Sequence, residues 1–129
     1  MQSESQVLNS IIREFGTRSD MRIWRSNAGS AVPWEAVHRA IASMRRGNIG
    51  EAIRILQSRS VTFGVPGQAD LTGLLASGRR LEIECKREDG VQRKEQADYQ
   101  AMTERFGGLY ILARSVADVE TTLQWVNRI

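Results

Sequence analysis

Apolar residues recur along this chain with two periods, and the change from one to the other marks the elements. Val7, Leu8, Ile11, Ile12 and Phe15 form a stripe of helical spacing. Ser3 or Ser5 suits the N-cap of that helix and Gly16 its end. Residues 21–26 (MRIWRS) are rich in β-compatible side chains and predict a strand. Pro33 suits the first turn of a helix running to about Arg46, with Trp34, Val37, Ile41 and Met44 on one face and Gly47 ending it. A short helix over residues 51–57 follows. Val61, Phe63 and Val65 alternate before the Pro66-Gly67 turn, as a strand or an extended lead-in. The two strongest strands, residues 69–75 and 80–86, flank a short loop at 76–78 of the kind that closes a hairpin. Residues 91–106 predict a helix ending at Gly107-Gly108, and residues 109–114 an apolar strand. Ser115 with Asp118 opens a last helix. The expected fold is α/β, a central mixed sheet with helices on both faces and a helical insert at about residues 31–60.

At 129 residues the chain has the length of one domain, and 41% hydrophobic with 26% charged residues excludes disorder as its main state. No stretch approaches the roughly 18 consecutive apolar residues of a membrane span, so no membrane partner is expected. The single cysteine, Cys85, and an N-terminus without basic and apolar signal regions point to a reducing cytoplasm. The net charge of +3 hides an asymmetry: residues 22–59 carry seven arginines against Glu35 and Glu51, whereas Glu82, Glu84, Glu88 and Asp89 outnumber Lys86 and Arg87 over residues 82–89. A basic region beside an acidic cluster suits phosphate attraction plus a cation site; two solvated faces would look the same.

In the strand Leu81-Glu82-Ile83-Glu84-Cys85-Lys86, apolar and charged residues alternate, so one face is core and the other carries two acids and a lysine. An isolated E-x-E-x-K is often only a solvated edge. The preceding strand changes this, because the three-residue loop at 76–78 puts Asp70 opposite Glu84 on the same face. Two carboxylates so close repel unless a cation sits between them. With a backbone carbonyl nearby they make the oxygen set that Mg²⁺ or Mn²⁺ accepts. Lys86, on the same face, could hold or deprotonate a water there, or stabilise charge developing on a phosphate. Metal-assisted phosphodiester hydrolysis fits these groups.

The run Gly64-Val65-Pro66-Gly67-Gln68-Ala69-Asp70-Leu71, then Glu84-Cys85-Lys86, Gln96 in the next helix and Gly107-Gly108 before a strand resembles the VRR-NUC (virus-type replication-repair nuclease) branch of the PD-(D/E)xK nucleases. The order of elements is similar to that superfamily's restriction-endonuclease-like αβββαβ core. The resemblance implies that Asp70 and Glu84 bind the metal, with the Cys85 main-chain carbonyl as a third ligand. It implies further that Lys86 is the catalytic lysine, that Gln96 orients groups at the site, and that Glu4 is a first-helix glutamate facing the centre and a further candidate ligand. Positions 4, 8, 11 and 15 do share one helical face, although a charge favoured by the helix dipole reads the same way. Ala69 stands where the family motif has proline.

The resemblance also implies a stand-alone endodeoxyribonuclease, homodimeric, cutting branched DNA such as four-way junctions to leave 5′-phosphate and 3′-hydroxyl ends. DNA would be recognised by backbone and shape. The expected contacts are Arg22, Arg25, Asn27, Arg39, Arg45, Arg46 and Lys94, with Tyr99 a further phosphate contact. Trp24 and Trp34 lie among these arginines, where they could stack on bases, but core packing is the expectation for both. His38 is expected at the surface and the Cys85 side chain in the core. The alternatives are a flap, single-strand or end-dependent nuclease of the same superfamily, and a non-catalytic DNA-binding module.

Overall fold

Ser3 caps the first helix: its Oγ accepts the Gln6 N–H at 3.2 Å, and Gln6 Oε1 accepts the Ser3 N–H at 2.8 Å. This reciprocal pair satisfies two backbone donors that the helix start would leave open. Helix α1 (Glu4–Phe15) then buries Val7, Ile11 and Phe15, three positions on one stripe. The computed structural model describes residues 1–26 and 29–127; the candidate DNA contact Asn27 lies outside the described residues. The chain divides into two units, Met1–Ser26 with Pro66–Ile129, and Asn27–Val65.

In the first unit a four-stranded sheet runs in the order β1 (Met21–Arg25), β4 (Leu71–Leu75), β5 (Arg80–Cys85), β6 (Leu109–Ala113). The first three strands are antiparallel neighbours, and β6 joins β5 in parallel after crossing over through helix α4 (Lys94–Arg105). The sheet is therefore mixed, and helices cover both of its faces, as the alternation of apolar positions implies. Leu71, Leu81, Ile83, Cys85, Ile111 and Ala113 point to one face, against α1 and helix α5 (Val116–Val126). Burying an aliphatic side chain such as Ile83 contributes about 1.5–3 kcal/mol. The opposite face carries Ala69 and Tyr110 packed against Tyr99 of α4. Ser115 Oγ caps α5 by accepting the Asp118 N–H.

The second unit pairs strand β2 (Gly29–Ala31) with β3 (Val61–Phe63) and packs helix α2 (Trp34–Arg45) on helix α3 (Ile49–Ser58). Here the expected buried face of α2 is corrected. Trp34 and Met44 are exposed, and the buried positions are Ala36, Ala40 and Ser43. Small side chains let α3 approach closely through Ala52, and this excludes the wide stripe that hydrophobicity alone selects. Strand β2 has no counterpart among the elements expected from the sequence; its pairing with β3 is a contact between residues 30 to 34 positions apart.

No helix among the described residues is long and apolar enough to cross a membrane.

Candidate active site

The β4–β5 register pairs Leu71 with Ile83 and Thr72 with Glu82. Continued by one residue, it sets Asp70 opposite Glu84, as the three-residue loop requires. Leu75 N–H donates to the Arg79 carbonyl across residues 76–78, which closes the hairpin in that register. Asp70 is held from both sides: its carbonyl accepts the Ser26 N–H at 2.9 Å, and its Oδ2 accepts the Cys85 N–H at 2.8 Å. The turn leading to it passes against the start of α4. Gly67 sits there at φ +76°, and a Cβ at that position would collide with the Glu95 carbonyl. Glycine is required at 67 for both conformation and space.

Glu84 is buried, at 3% exposure. Its Oε1 accepts a 2.7 Å hydrogen bond from Gln96 Nε2, and its Oε2 has no hydrogen-bond partner among the described residues. Burial, and then the negative charge of Asp70, push its carboxyl from 4.5 up to about 8, with Lys86 opposing. Lys86 is itself buried, with Nζ 3.9 Å from Glu84 Oε1 and 3.9 Å from Glu4 Oε1. The N-terminus of α1 thus reaches the end of β5, and Glu4, Asp70, Glu84, Lys86 and Gln96 come together at one end of the sheet.

Gln96 is joined to its helix as well as to the acid. As the third residue of α4 it accepts the Arg93 N–H through Oε1 at 2.9 Å, so the helix start fixes the amide that donates to Glu84.

Two facing carboxylates, one with a buried oxygen lacking a donor, are suited to a hard divalent cation. Among the described residues no group of three or more His, Cys, Asp or Glu side chains is arranged to hold a metal. An ion held by Asp70 and Glu84 would therefore complete its shell with main-chain oxygen, water and substrate, which Mg²⁺ accepts readily. The Cys85 thiol is turned into the core, where burial and the nearby Asp70 push it up to about 12; it is no nucleophile.

The other candidates scatter. Arg22 and Arg25 point to opposite faces of β1, and Arg25 Nη2 donates to Asn9 Oδ1 of α1 at 2.9 Å. Arg39, Arg45 and Arg46 belong to the second unit, and Arg46 pairs with Glu51 at 3.6 Å. Lys94 is exposed and pairs with Asp98 at 2.8 Å. Tyr99, read as a phosphate contact, is buried, and its hydroxyl donates to Glu82 at 3.0 Å. Trp24 and Trp34, expected in the core, are exposed at 48% and 69%. His38 is exposed, its ring edge-on to Trp34 at 4.6 Å.

Sequence reasoning missed the neighbour of Glu84 on the same face. Glu82 is fully buried, and its carboxylate accepts from Arg80 Nε at 2.7 Å, Thr72 Oγ1 at 2.7 Å and Tyr99 Oη at 3.0 Å. Period-two spacing puts both acids on one face, and the cross-strand pairing of Thr72 with Glu82 was the available signal that one of them is structurally satisfied. No protein-family model matches the chain, and no curated protein or solved structure matches it significantly.

Proposed function

We propose that this protein is a Mg²⁺- or Mn²⁺-dependent deoxyribonuclease of the PD-(D/E)xK type, of the VRR-NUC branch, acting on structured DNA. The observation that carries this reading is the contrast between the two buried acids on β5. Glu82 has donors on both oxygens, whereas Glu84 faces Asp70 with Oε2 lacking a donor and Lys86 3.9 Å from Oε1. With Glu84 ionised, such a charge arrangement costs stability unless a cation offsets it; below about pH 8 a proton on Glu84 does so instead. The order α1-β1-β4-β5-α4-β6, with the acid entering β4 and E-x-K ending β5, supports a restriction-endonuclease-like core for the same chain.

A divalent ion bound there supplies Lewis acidity toward the phosphoryl oxygen and lowers the pKa of a water. Asp70 and Glu84 would hold it, with the Cys85 carbonyl as a further oxygen and Glu4 at the rim. Gln96 fixes the Glu84 carboxylate. Lys86 is placed to orient the attacking water or to donate to a non-bridging phosphate oxygen. The water oxygen would form the new bond to phosphorus as its proton passes to solvent, the bond from phosphorus to O3′ would break, and O3′ would take up a proton from solvent. The ends are 5′-phosphate and 3′-hydroxyl. Backbone contacts from arginines that stay exposed, such as Arg22, would make recognition depend on DNA shape, with four-way junctions and a homodimer as the proposed substrate and state.

Labelled linear, flap and four-way DNA incubated with Mg²⁺ or Mn²⁺ test this. Cleavage is expected in the wild type and lost in Asp70→Asn and Lys86→Ala, with DNA binding retained. Cutting that persists in either variant removes the proposal.

A further inference from the structure

The half of the sheet face that helix α4 does not pack over bears a different set of groups. Helix α4 packs over the β5–β6 half through Tyr99, Tyr110 and the partly buried Leu112. On the β1–β4 half, the register sets Arg22 beside Leu74 and Leu74 beside Arg80, and sets Trp24 beside Thr72 and Thr72 beside Glu82. These side chains share one face by the two-residue alternation of strands. Arg22, Trp24, Leu74 and Arg80 are exposed, whereas Thr72 and Glu82 beneath them are buried and mutually bonded. The result is an exposed indole on the edge strand, two residues from Arg22 and diagonally across the sheet from Arg80, beside a floor fixed by hydrogen bonds. Arg80 is oriented by its 2.7 Å bond to Glu82. It also opens onto a cleft of about 380 Å³ lined by Met102 of α4 and by Phe106, which follows that helix.

We propose that this face carries an unpaired stretch of the DNA strand that enters the site, with one base stacked on Trp24 and the flanking phosphates on Arg22 and Arg80. The inference rests on the nuclease reading and narrows its substrate: among structured DNAs it favours those with unpaired nucleotides next to the scissile bond over a fully paired four-way junction. Charge favours an anionic occupant: Arg80 and Glu82 offset one another, and Arg22, beside the indole on the same strand face, leaves the face with a positive charge. An aromatic platform in a basic groove is how single strands are held without sequence preference. The placement also fits. Strand spacing of about 4.8 Å and a rise of about 3.4 Å per residue set the Trp24 and Glu84 backbones roughly 12 Å apart, within reach of a base near a phosphate at Glu84. A buried Trp24, or one facing α1, could not serve.

The test reads binding separately from cutting. In EDTA, fluorescence anisotropy compares a duplex carrying a single-stranded tail with the same duplex blunt. The wild type is expected to prefer the tailed DNA, and Trp24→Ala to lose about tenfold in affinity for it, with blunt-duplex binding within twofold of wild type. Trp24→Phe should restore most of the loss. Tail affinity unchanged in Trp24→Ala overturns the proposal. So does an RNA tail held tighter than DNA, or a Trp24→Ala chain that changes its sedimentation but not its tail binding, which would make the face a contact between copies. Should Trp24→Ala fail to fold, a Trp34→Phe/Trp125→Phe protein leaves Trp24 as the only indole of three. Both replaced residues are exposed. Quenching of its emission by a tailed but not a blunt duplex supports stacking, and equal emission with both refutes it. A wild type that binds tails through Trp24 yet never cuts with Mg²⁺ or Mn²⁺ defeats the nuclease reading alone; one that cuts with no Trp24 effect defeats this inference alone.

Discussion

Gln96 ties Glu84 to the first turn of α4: its Nε2 donates to Glu84 Oε1 at 2.7 Å while its Oε1 accepts the Arg93 N–H at 2.9 Å. One amide thus sets the orientation of the acid and the start of the helix. It leaves Glu84 Oε2 as the carboxylate oxygen without a donor among the described residues.

Replacing this amide should separate positioning from binding. Gln96→Ala is expected to lower kcat for metal-dependent cleavage by about 10- to 100-fold, as loss of a partner that orients a metal ligand commonly does. KM should change little, and Gln96→Glu, which sets a third carboxylate against Glu84, should be worse than alanine. Single-turnover kinetics with circular dichroism as a fold control check this. A rise in KM alone would make Gln96 a DNA contact.

Stability should depend on pH through Glu84. Its carboxyl titrates near 4.5 in an unfolded chain and at about 8 in the fold, held up by burial and by Asp70. Between those values the folded protein keeps a proton that the unfolded chain has lost, so stability falls as pH rises through the window. The contribution is complete below 4.5 and gone above about 8. It amounts to on the order of a few kcal/mol. Urea denaturation in EDTA should show that decline, Glu84→Gln should flatten it, and Mg²⁺ should offset it for the wild type only. A metal-free wild type whose stability rises over the same window would contradict this.

The Glu82 cluster should matter to the fold. Tyr99→Phe or Thr72→Val removes one donor from a buried carboxylate and is expected to cost about 1.5–3 kcal/mol each. The two share an acceptor, so their effects should not add, and a double-mutant cycle in urea measures the coupling. Losses below about 0.5 kcal/mol would show that Arg80 alone satisfies the acid.

Two glycines with similar backbone angles should respond differently. Gly78, at φ +84°, has open space around it, so Gly78→Ala carries only the conformational cost of about 1–2 kcal/mol. Gly67→Ala adds a collision with the Glu95 carbonyl. It should cost more and reduce cleavage by displacing Asp70, three residues on. Thermal melts and cleavage assays on the two variants test the difference; equal melting losses would refute it.

How much of this was readable in the chain depends on what carries each feature. The caps at Ser3 and Ser115, the alternation through β5 and the three-residue loop are local, set by hydrogen bonds and periods among near neighbours. They determined the helices, the hairpin register and the opposition of Asp70 to Glu84. That register also sets Thr72 against Glu82 and Asp70 against Glu84, a first hint that the two acids differ, but it does not show which donors reach Glu82 or whether Trp24 lies in a core or on a surface. Their fates were decided by the tertiary structure: α4 crosses only the β5–β6 half of the face, Arg80, Thr72 and Tyr99 converge on one acid, and Trp24 is left open. Alternation specifies which side of a strand a residue takes, but burial depends on what element lies across from it. That partner is contributed by residues distant in the chain, so local pattern cannot encode it.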